Sequence, residues 1–426
     1  VITRHLTLVV AASALLGWLL AMSFGDVSWL AELMVLLKIT FLNALRLIIG
    51  PLIFFSLITG ILSLGDARRF RTLGLTTLGY YLTTTAIAIA IGLCVVYALD
   101  PFADQGAMLS APPSHDVEII ALDDPSLLGV ARSLLSQALV NPISALANLN
   151  IIGIVSNALL LGLAGLFVLD RESPFRHAVA EVTNMIYKLT GWIVTLVPLG
   201  VLAITFELSG QFSGQLLTQL LEFALIVVGA TLVHGLIVLP LLAWVFGGIP
   251  PMRLLTAIAR PLLVAFTTSS SSATLPVSMQ TARERLDVEP AIASFVLPLG
   301  ATMNMDGTAL FEGIAAVFLA HLFGIELSTI GTLMVFLMAM IASIGAPGVP
   351  SGSMAGMQMV MLAVGIPLEA IGILLLIERP LDTIRTAVNV EGDLVGCLVA
   401  KRFATEGAAG EAASGASGAA PPGVTK

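Results

Sequence analysis

Near the C-terminus five polar residues recur at helical spacing: Glu378, Asp382, Arg385, Asn389 and Asp393, at intervals of +4, +3, +4 and +4. At about 100° per residue they occupy roughly 80° of helical arc, with Thr386 beside them, so one helix face is polar for about four turns. The planar guanidinium of Arg385 fits a carboxylate as a two-pronged fork. Asp382, one turn away, suits an ammonium. An ion-pair seam joining Arg385 to Asp382 or Glu378 is the alternative, but it leaves Asn389 and Asp393 without a role.

A second polar set lies upstream in Asn304-Met305-Asp306-Gly307-Thr308, followed by Glu312. Gly307 can loosen a helix there and release backbone carbonyls. Hard cations such as Na+ take carboxylate, amide and carbonyl oxygens, by the logic of other oxygen-liganded cations. Asp306, Asn304, Asn389 and Asp393 supply those groups.

These residues sit in a very apolar chain. Of 426 residues, 57% are hydrophobic and 11% charged, against about 25% charged in a soluble domain, and the mean hydropathy is +1.01. A bilayer span needs roughly 20 apolar residues, so the sequence supplies on the order of eight. The fold class expected is an all-α polytopic membrane protein. A charge inside a bilayer costs about 2.5–3.5 kcal/mol, so a charged stripe there must face protein, ions or substrate. The net charge of −8, with no basic patch, argues against a nucleic-acid partner. Cys94 and Cys397, far apart in apolar runs, read as lipid-facing or packing residues rather than a disulfide or metal pair.

Apolar segments fall at about 7–24, 37–64, 72–99, 127–168, 187–207 and 217–246, the fourth long enough to break at Asn141-Pro142. From about 250 to 402 the hydrophobic blocks are interrupted. Thr267-Thr268-Ser269-Ser270-Ser271-Ser272-Ala273-Thr274-Leu275-Pro276 and Gly345-Ala346-Pro347-Gly348-Val349-Pro350-Ser351-Gly352-Ser353 each lie within an apolar block too short on either side to span. Such backbone at membrane depth must be buried in protein or line a wet cavity, which predicts two re-entrant hairpins with polar tips. Asn304 follows Ser269 by 35 residues and Asp382 follows Gly348 by 34. Interruptions at matching positions of two repeats point to a transport site.

Basic residues set the orientation. Arg68, Arg69, Arg71, Arg171, Arg176, Lys188, Arg253, Arg260, Arg283 and Arg285 fall in alternate connections, on the side of Arg4, Lys401 and Arg402, while the loop holding Asp100, Asp104, Asp116, Glu118, Asp123 and Asp124 is acidic. The positive-inside rule then places both termini in the cytoplasm of a multi-pass cell-membrane protein. Residues 1–249 read mainly as scaffold, with the third and sixth spans packing on a core at 250–402. Residues 403–426, rich in Gly, Ala, Ser and Pro, read as a disordered tail.

The strings TTSSSSATLP (267–276), NMDGTALFEG (304–313), GVPSGS (348–353) and LDTIRTAVNVEGD (381–393) resemble the dicarboxylate/amino acid:cation symporters, which include archaeal aspartate transporters and mammalian excitatory amino acid transporters. The resemblance runs nearly to residue 402. It implies eight spans plus two hairpins in inverted repeats, a homotrimer, and an elevator motion of the 250–402 core, with acidic amino acid as substrate and no organic cofactor. By motif, Arg385 is similar to the arginine on the substrate side-chain carboxylate, Asp382 to the aspartate on the amino group, and Asn389 to the asparagine on the α-carboxylate. Thr308, Thr386, Val349, Ser353 and the tip serines Ser269, Ser270 and Ser271 match the rest of that pocket. Asp393 with Gly300, Asn304 and Asn389 resembles one sodium site, and Thr302 with Ser343, Ile344 and Ala346 a second. A third joins Asp306 and Asn304 to Tyr81, Thr84 and Thr85.

The sequence departs from the pattern in three places. Glu312 is Gln in archaeal sodium-only relatives and Glu in the mammalian proton-coupled ones, so the resemblance implies H+ cotransport through Glu312. An arginine usual at the first tip or just after the substrate aspartate is replaced by Ser269 and Thr383, and a threonine by Ala346. The main expectation is a symporter of L-glutamate or L-aspartate driven by Na+ and H+. The alternatives are a proton-only glutamate or C4-dicarboxylate carrier, opposed by Asp393 and Asp382 respectively, a neutral amino acid exchanger, and an anion channel. An intramembrane hydrolase built on the serine run with His234 or His321 lacks a GxSxG elbow.

Overall fold

In a hydrocarbon medium every backbone N–H and C=O must be satisfied within the protein, which leaves apolar runs of this length to form helices. The computed structural model describes residues 6–63, 71–99, 132, 135–170, 172–209, 214–345 and 352–416, and all regular elements among them are helical. They are α1 (Leu6–Phe24), α2 (Ser28–Ser63), α3 (Arg71–Leu99), α4 (Pro142–Ala147), α5 (Ile151–Val168), α6 (Pro174–Val194), α7 (Val197–Leu208) and α8 (Gly214–Val233). A π-turn at His234–Val238 leads into α9 (Leu239–Gly247), then α10 (Pro251–Thr268), α11 (Ser271–Glu284), α12 (Pro290–Met303) and α13 (Asp306–Leu322). After α14 (Thr329–Gly345) and α15 (Ser353–Ala363), a short 3-10 turn leads to α16 (Ile371–Leu375) and α17 (Glu378–Ala416).

Among the described residues four stretches are long and apolar enough to cross a bilayer: Ser28–Leu62, Leu73–Leu99, Leu216–Gly247 and Pro290–Leu322. A fifth arises if α6 and α7, bent by 46°, count as one span. Three shorter apolar helices, Ala12–Phe24, Ile152–Val168 and Thr329–Ile344, accompany them.

Local chemistry explains the helix ends. The predicted break at Asn141-Pro142 is present: Asn141 Oδ1 accepts from Ile143 N at 2.9 Å and Ser144 N at 3.3 Å, and Pro142 occupies the first turn, where its missing N–H costs nothing. Two spans begin earlier than the apolar pattern indicates. α2 starts at Ser28 because Lys38, which interrupts the hydrophobic run, is matched by Glu207 of α7 at 2.6 Å. α6 starts at Pro174, and its Arg176 turns inward to donate to the carbonyls of Leu62 at 2.9 Å and Leu169 at 2.8 Å. That one guanidinium thereby satisfies exposed carbonyls at the ends of both α2 and α5.

The interrupted region folds as its sequence suggests at the first tip. α10 turns back onto α11 through Ser269, whose φ of +49° is left-handed, and Ser270 caps α11 by accepting from Ala273 N at 3.1 Å. α14 and α15 also pack together, while residues 346–351 between them, including Ala346 and Val349, lie outside the described residues, as does the acidic loop. α17 is the hub, touching α3, α9, α10, α11, α12 and α13. Its backbone stays helical to Ala416, where composition predicts disorder from residue 403; alanine and glutamate in that stretch are strong helix formers. Residues 417–426 are outside the described set.

Two large apolar cores result. One joins α10–α12 and α17 with Tyr80 and Tyr81 of α3 and Leu239 and Ala243 of α9. The other joins α2, α5, α6 and α8 with α13–α16. Cys397 is buried in the first core and Cys94 is exposed on α3.

Candidate functional site

The polar stripe of α17 points inward: Glu378, Asp382, Arg385, Thr386, Asn389 and Asp393 are all buried. Arg385 has no exposed surface, and its guanidinium lies 3.9 Å over the ring of Phe311, a cation–π contact that holds it flat. Its Nη2 faces Glu378 Oε1 at 3.1 Å, Ser353 Oγ at 3.2 Å and Asp382 Oδ1 at 3.3 Å. Both ion pairs that the sequence offered as an alternative therefore form. Among the described residues they use one nitrogen only: Nε and Nη1 are buried without a hydrogen-bond partner there. Buried donors of a charged group are costly to leave unpaired, so the unpaired edge of the fork fits an incoming carboxylate.

Four residues on, Asn389 ties α17 to the start of α13. Its Oδ1 accepts from Gly307 N at 2.8 Å and its Nδ2 donates to Thr308 Oγ1 at 3.2 Å. The helix break lies at Asn304–Met305, not at Gly307, since α12 ends at Met303 and α13 begins at Asp306. Gly307 does something else. A Cβ there would meet the Arg385 carbonyl at 2.7 Å, so glycine lets the two backbones close on each other.

At the break the ion-site candidates converge. Asn304 Nδ2 donates to Asp393 Oδ1 at 3.0 Å, and a side chain at Gly300 would collide with that same oxygen and with the Tyr81 hydroxyl. Asp306, fully buried in the first turn of α13, receives Thr85 Oγ1 on Oδ1 at 2.8 Å, with Thr84 Oγ1 3.3 Å from the same atom. Thr84 also lies 3.4 Å from Asn304 Oδ1. The helix N-terminus adds positive potential to this carboxylate. Tyr81 departs from its expected place, because its hydroxyl donates to the Val296 carbonyl at 2.9 Å beside Asp393 rather than to Asp306.

The remaining candidates are less assembled. Thr302 and Ser343 donate back to their own helices, to Leu299 O at 3.0 Å and Met340 O at 2.7 Å, though α12 and α14 pack together and Ile344 lies against both cores. Ser269, Ser270 and Ser271 are buried at a tip whose following helix touches α17. Glu312 is fully buried and, among the described residues, neither carboxyl oxygen has a hydrogen-bond partner and Arg385 is the charge that acts on it. Its Oε1 lies where a Cβ at Gly356 of α15 would stand, so this carboxyl rests directly on the α15 backbone.

The family model for the sodium:dicarboxylate symporter family matches residues 6–403. The chain belongs to that family. Among symporter relatives, the putative sodium-dependent excitatory amino acid transporter glt-4 of Caenorhabditis elegans is 31% identical over 411 residues, covering 85% of this chain and 81% of the relative. Human neutral amino acid transporter B(0) is 34% identical over 401 residues, covering 85% and 72%. Mouse excitatory amino acid transporter 3 is 31% identical over 418 residues, covering 85% and 77%. The symporter family consists of sodium-coupled membrane transporters rather than enzymes, which makes this chain a multi-pass transporter.

Three residues around the symporter site escape sequence reasoning. His234 opens the π-turn of the sixth span and places Nε2 3.0 Å from Asp306 Oδ2, where an imidazole N–H donates to the carboxylate. The one signal for it was a histidine inside an apolar run. Glu391 lies off the polar stripe, buried against Gly235 of the same π-turn. Arg379 reaches Asp382 Oδ2 at 3.5 Å and returns to this pocket a positive charge missing from Ser269 and Thr383.

Proposed function

We propose that the protein is a secondary-active symporter of acidic amino acids, L-glutamate or L-aspartate, coupled to Na+ and H+. The observation that carries this reading is Arg385: a sealed guanidinium with two donor nitrogens unpaired among the described residues, positioned on a core helix beside ion-type ligands. A substrate side-chain carboxylate pairs with that edge of Arg385, the ammonium goes to Asp382, and Asn389 with Thr308 binds the α-carboxylate. Thr386, Ser353, Val349 and the serines 269–271 close the pocket.

Na+ occupies the oxygen sets around Asp393, Asp306 and Thr302. Glu312 carries the proton, since burying it as an anion without a hydrogen bond costs several kcal/mol. Eight spans and two re-entrant hairpins, a homotrimer, cytoplasmic termini in the cell membrane, and elevator movement of the 250–402 core complete the proposal.

A neutral amino acid substrate is the second reading, and one contact favours it. Arg385 already faces two carboxylates, Glu378 and Asp382, which reduces its pull on a third. The deciding experiment is uptake of labelled L-aspartate, L-glutamate and L-serine into proteoliposomes under separately imposed Na+ and H+ gradients. Acidic substrates requiring inward Na+ and stimulated by inward H+ support the first reading; serine uptake without aspartate uptake overturns it.

Asp393→Asn tests the ion assignment. Replacing one oxygen by an amide nitrogen removes the charge and one of this side chain's two oxygen ligands, so the Na+ concentration for half-maximal uptake should rise about tenfold or more. An unaltered Na+ activation curve would remove Asp393 from the ion site.

A further inference from the structure

Asp382, the carboxylate assigned above to the substrate ammonium, has both oxygens turned to arginines of its own helix. Oδ1 lies 3.3 Å from Arg385 Nη2 and Oδ2 lies 3.5 Å from Arg379 Nη1. The two guanidiniums are held very differently. The Arg385 side chain is 1% exposed, stacked on Phe311 and shared with Ser353 and Glu378. The Arg379 side chain is 13% exposed, and its contact with Asp382 lies at the outer limit of a hydrogen bond. An ammonium arriving at Asp382 must take over an oxygen, and Oδ2 is the one that faces the less buried and more distant of the two guanidiniums.

The charge balance gives Arg379 a purpose beyond packing. Glu378 and Asp382 together carry two negative charges, and Arg385 compensates one of them. Arg379 supplies the second positive charge. An amino acid's ammonium, once seated on Asp382, supplies the same charge in its place.

We propose that Arg379 is a resident stand-in for the substrate ammonium, holding Asp382 when no amino acid is bound and yielding it on binding. The proposal rests on the reading of Asp382 as the ammonium site. Two opposite effects follow from one residue. As a competitor it weakens apparent substrate affinity. As a counter-charge it lets the unloaded site cross the low-dielectric interior without an unpaired carboxylate, whose burial is costly.

The test is Arg379→Gln in the full-length protein reconstituted into liposomes, with Arg379→Lys as the charge-retaining control. Removing a partly exposed pair should lower the KM for L-aspartate at saturating Na+ about two- to five-fold. Net uptake, which needs the unloaded carrier to return, should fall about tenfold or more, while exchange of internal for external aspartate keeps its rate. Lysine should restore net uptake. An unchanged or raised KM, or net uptake and exchange falling together, would overturn the proposal and leave Arg379 a structural residue. Asp382→Asn, measured by equilibrium binding of aspartate in detergent, separates the two levels: unchanged affinity there means the ammonium site itself is misassigned, whatever Arg379 does.

Discussion

Arg385→Cys should abolish uptake of acidic amino acids. The substitution removes the guanidinium that is sealed in the site, and breaking a buried charge-assisted contact costs about 3–5 kcal/mol, a loss of roughly 10²- to 10⁴-fold in affinity for a substrate carboxylate. Glu378 and Asp382 keep their negative charges in the variant, so an anionic side chain is now repelled as well. A small neutral amino acid needs only Asp382 and Asn389 and meets neither penalty. Labelled L-aspartate and L-serine uptake, run in parallel, reads both arms: aspartate transport lost and serine transport gained or retained. Arg385→Lys checks the geometry, since an ammonium keeps the charge without the planar fork. Aspartate KM unchanged in the cysteine variant would take Arg385 out of the pocket.

Glu312→Gln should separate proton coupling from substrate handling. Glutamine keeps the size and polarity of the side chain that rests on Gly356 of α15, but it holds no exchangeable acidic proton. Wild-type uptake should rise when the external side is made more acidic, because an inward proton gradient then drives the loaded carrier inward. In the variant that stimulation should vanish, and net uptake should fall about tenfold or more, while exchange at equal pH on both sides continues. Proteoliposomes with an imposed pH step provide the measurement. Persistence of the wild-type pH profile would assign the proton to another group.

The sequence made much of this site readable because its chemistry is periodic. The α17 stripe was visible from spacing alone, and every member of it is buried. The first tip was equally readable, since serines within an apolar block have no other comfortable conformation. What periodicity could not show were contacts between distant segments. His234 meets Asp306 across 72 residues, and neither residue type nor spacing links them. Gly307 looked like a helix breaker, because glycine's flexibility is a local property, whereas its use here depends on another helix lying against it. Tyr81 was placed with its neighbours Thr84 and Thr85 and does share their helix face, yet the length of its ring carries the hydroxyl past them to the Val296 carbonyl of another helix. Lys38 and Arg176 shortened the apparent spans because their partners, Glu207 and the carbonyls of other helices, are invisible to a hydropathy count.

α17 is continuous from Glu378 to Asp393, while the opposing pair α12 and α13 is interrupted at Asn304–Met305. The proposed ammonium site at Asp382 and the proposed ion carboxylate Asp393 thus hang about 16 Å apart along one stiff rod, at 1.5 Å per residue. A rod without a joint cannot slip: displacing one load displaces the other. Whatever play the mechanism has must lie in the two non-helical residues facing it, Asn304, which holds Asp393, and Met305, two positions before the Gly307 that holds Asn389. Fidelity of coupling is therefore a property of that short joint, and variants that leak one cargo without the other should map there rather than along the helix.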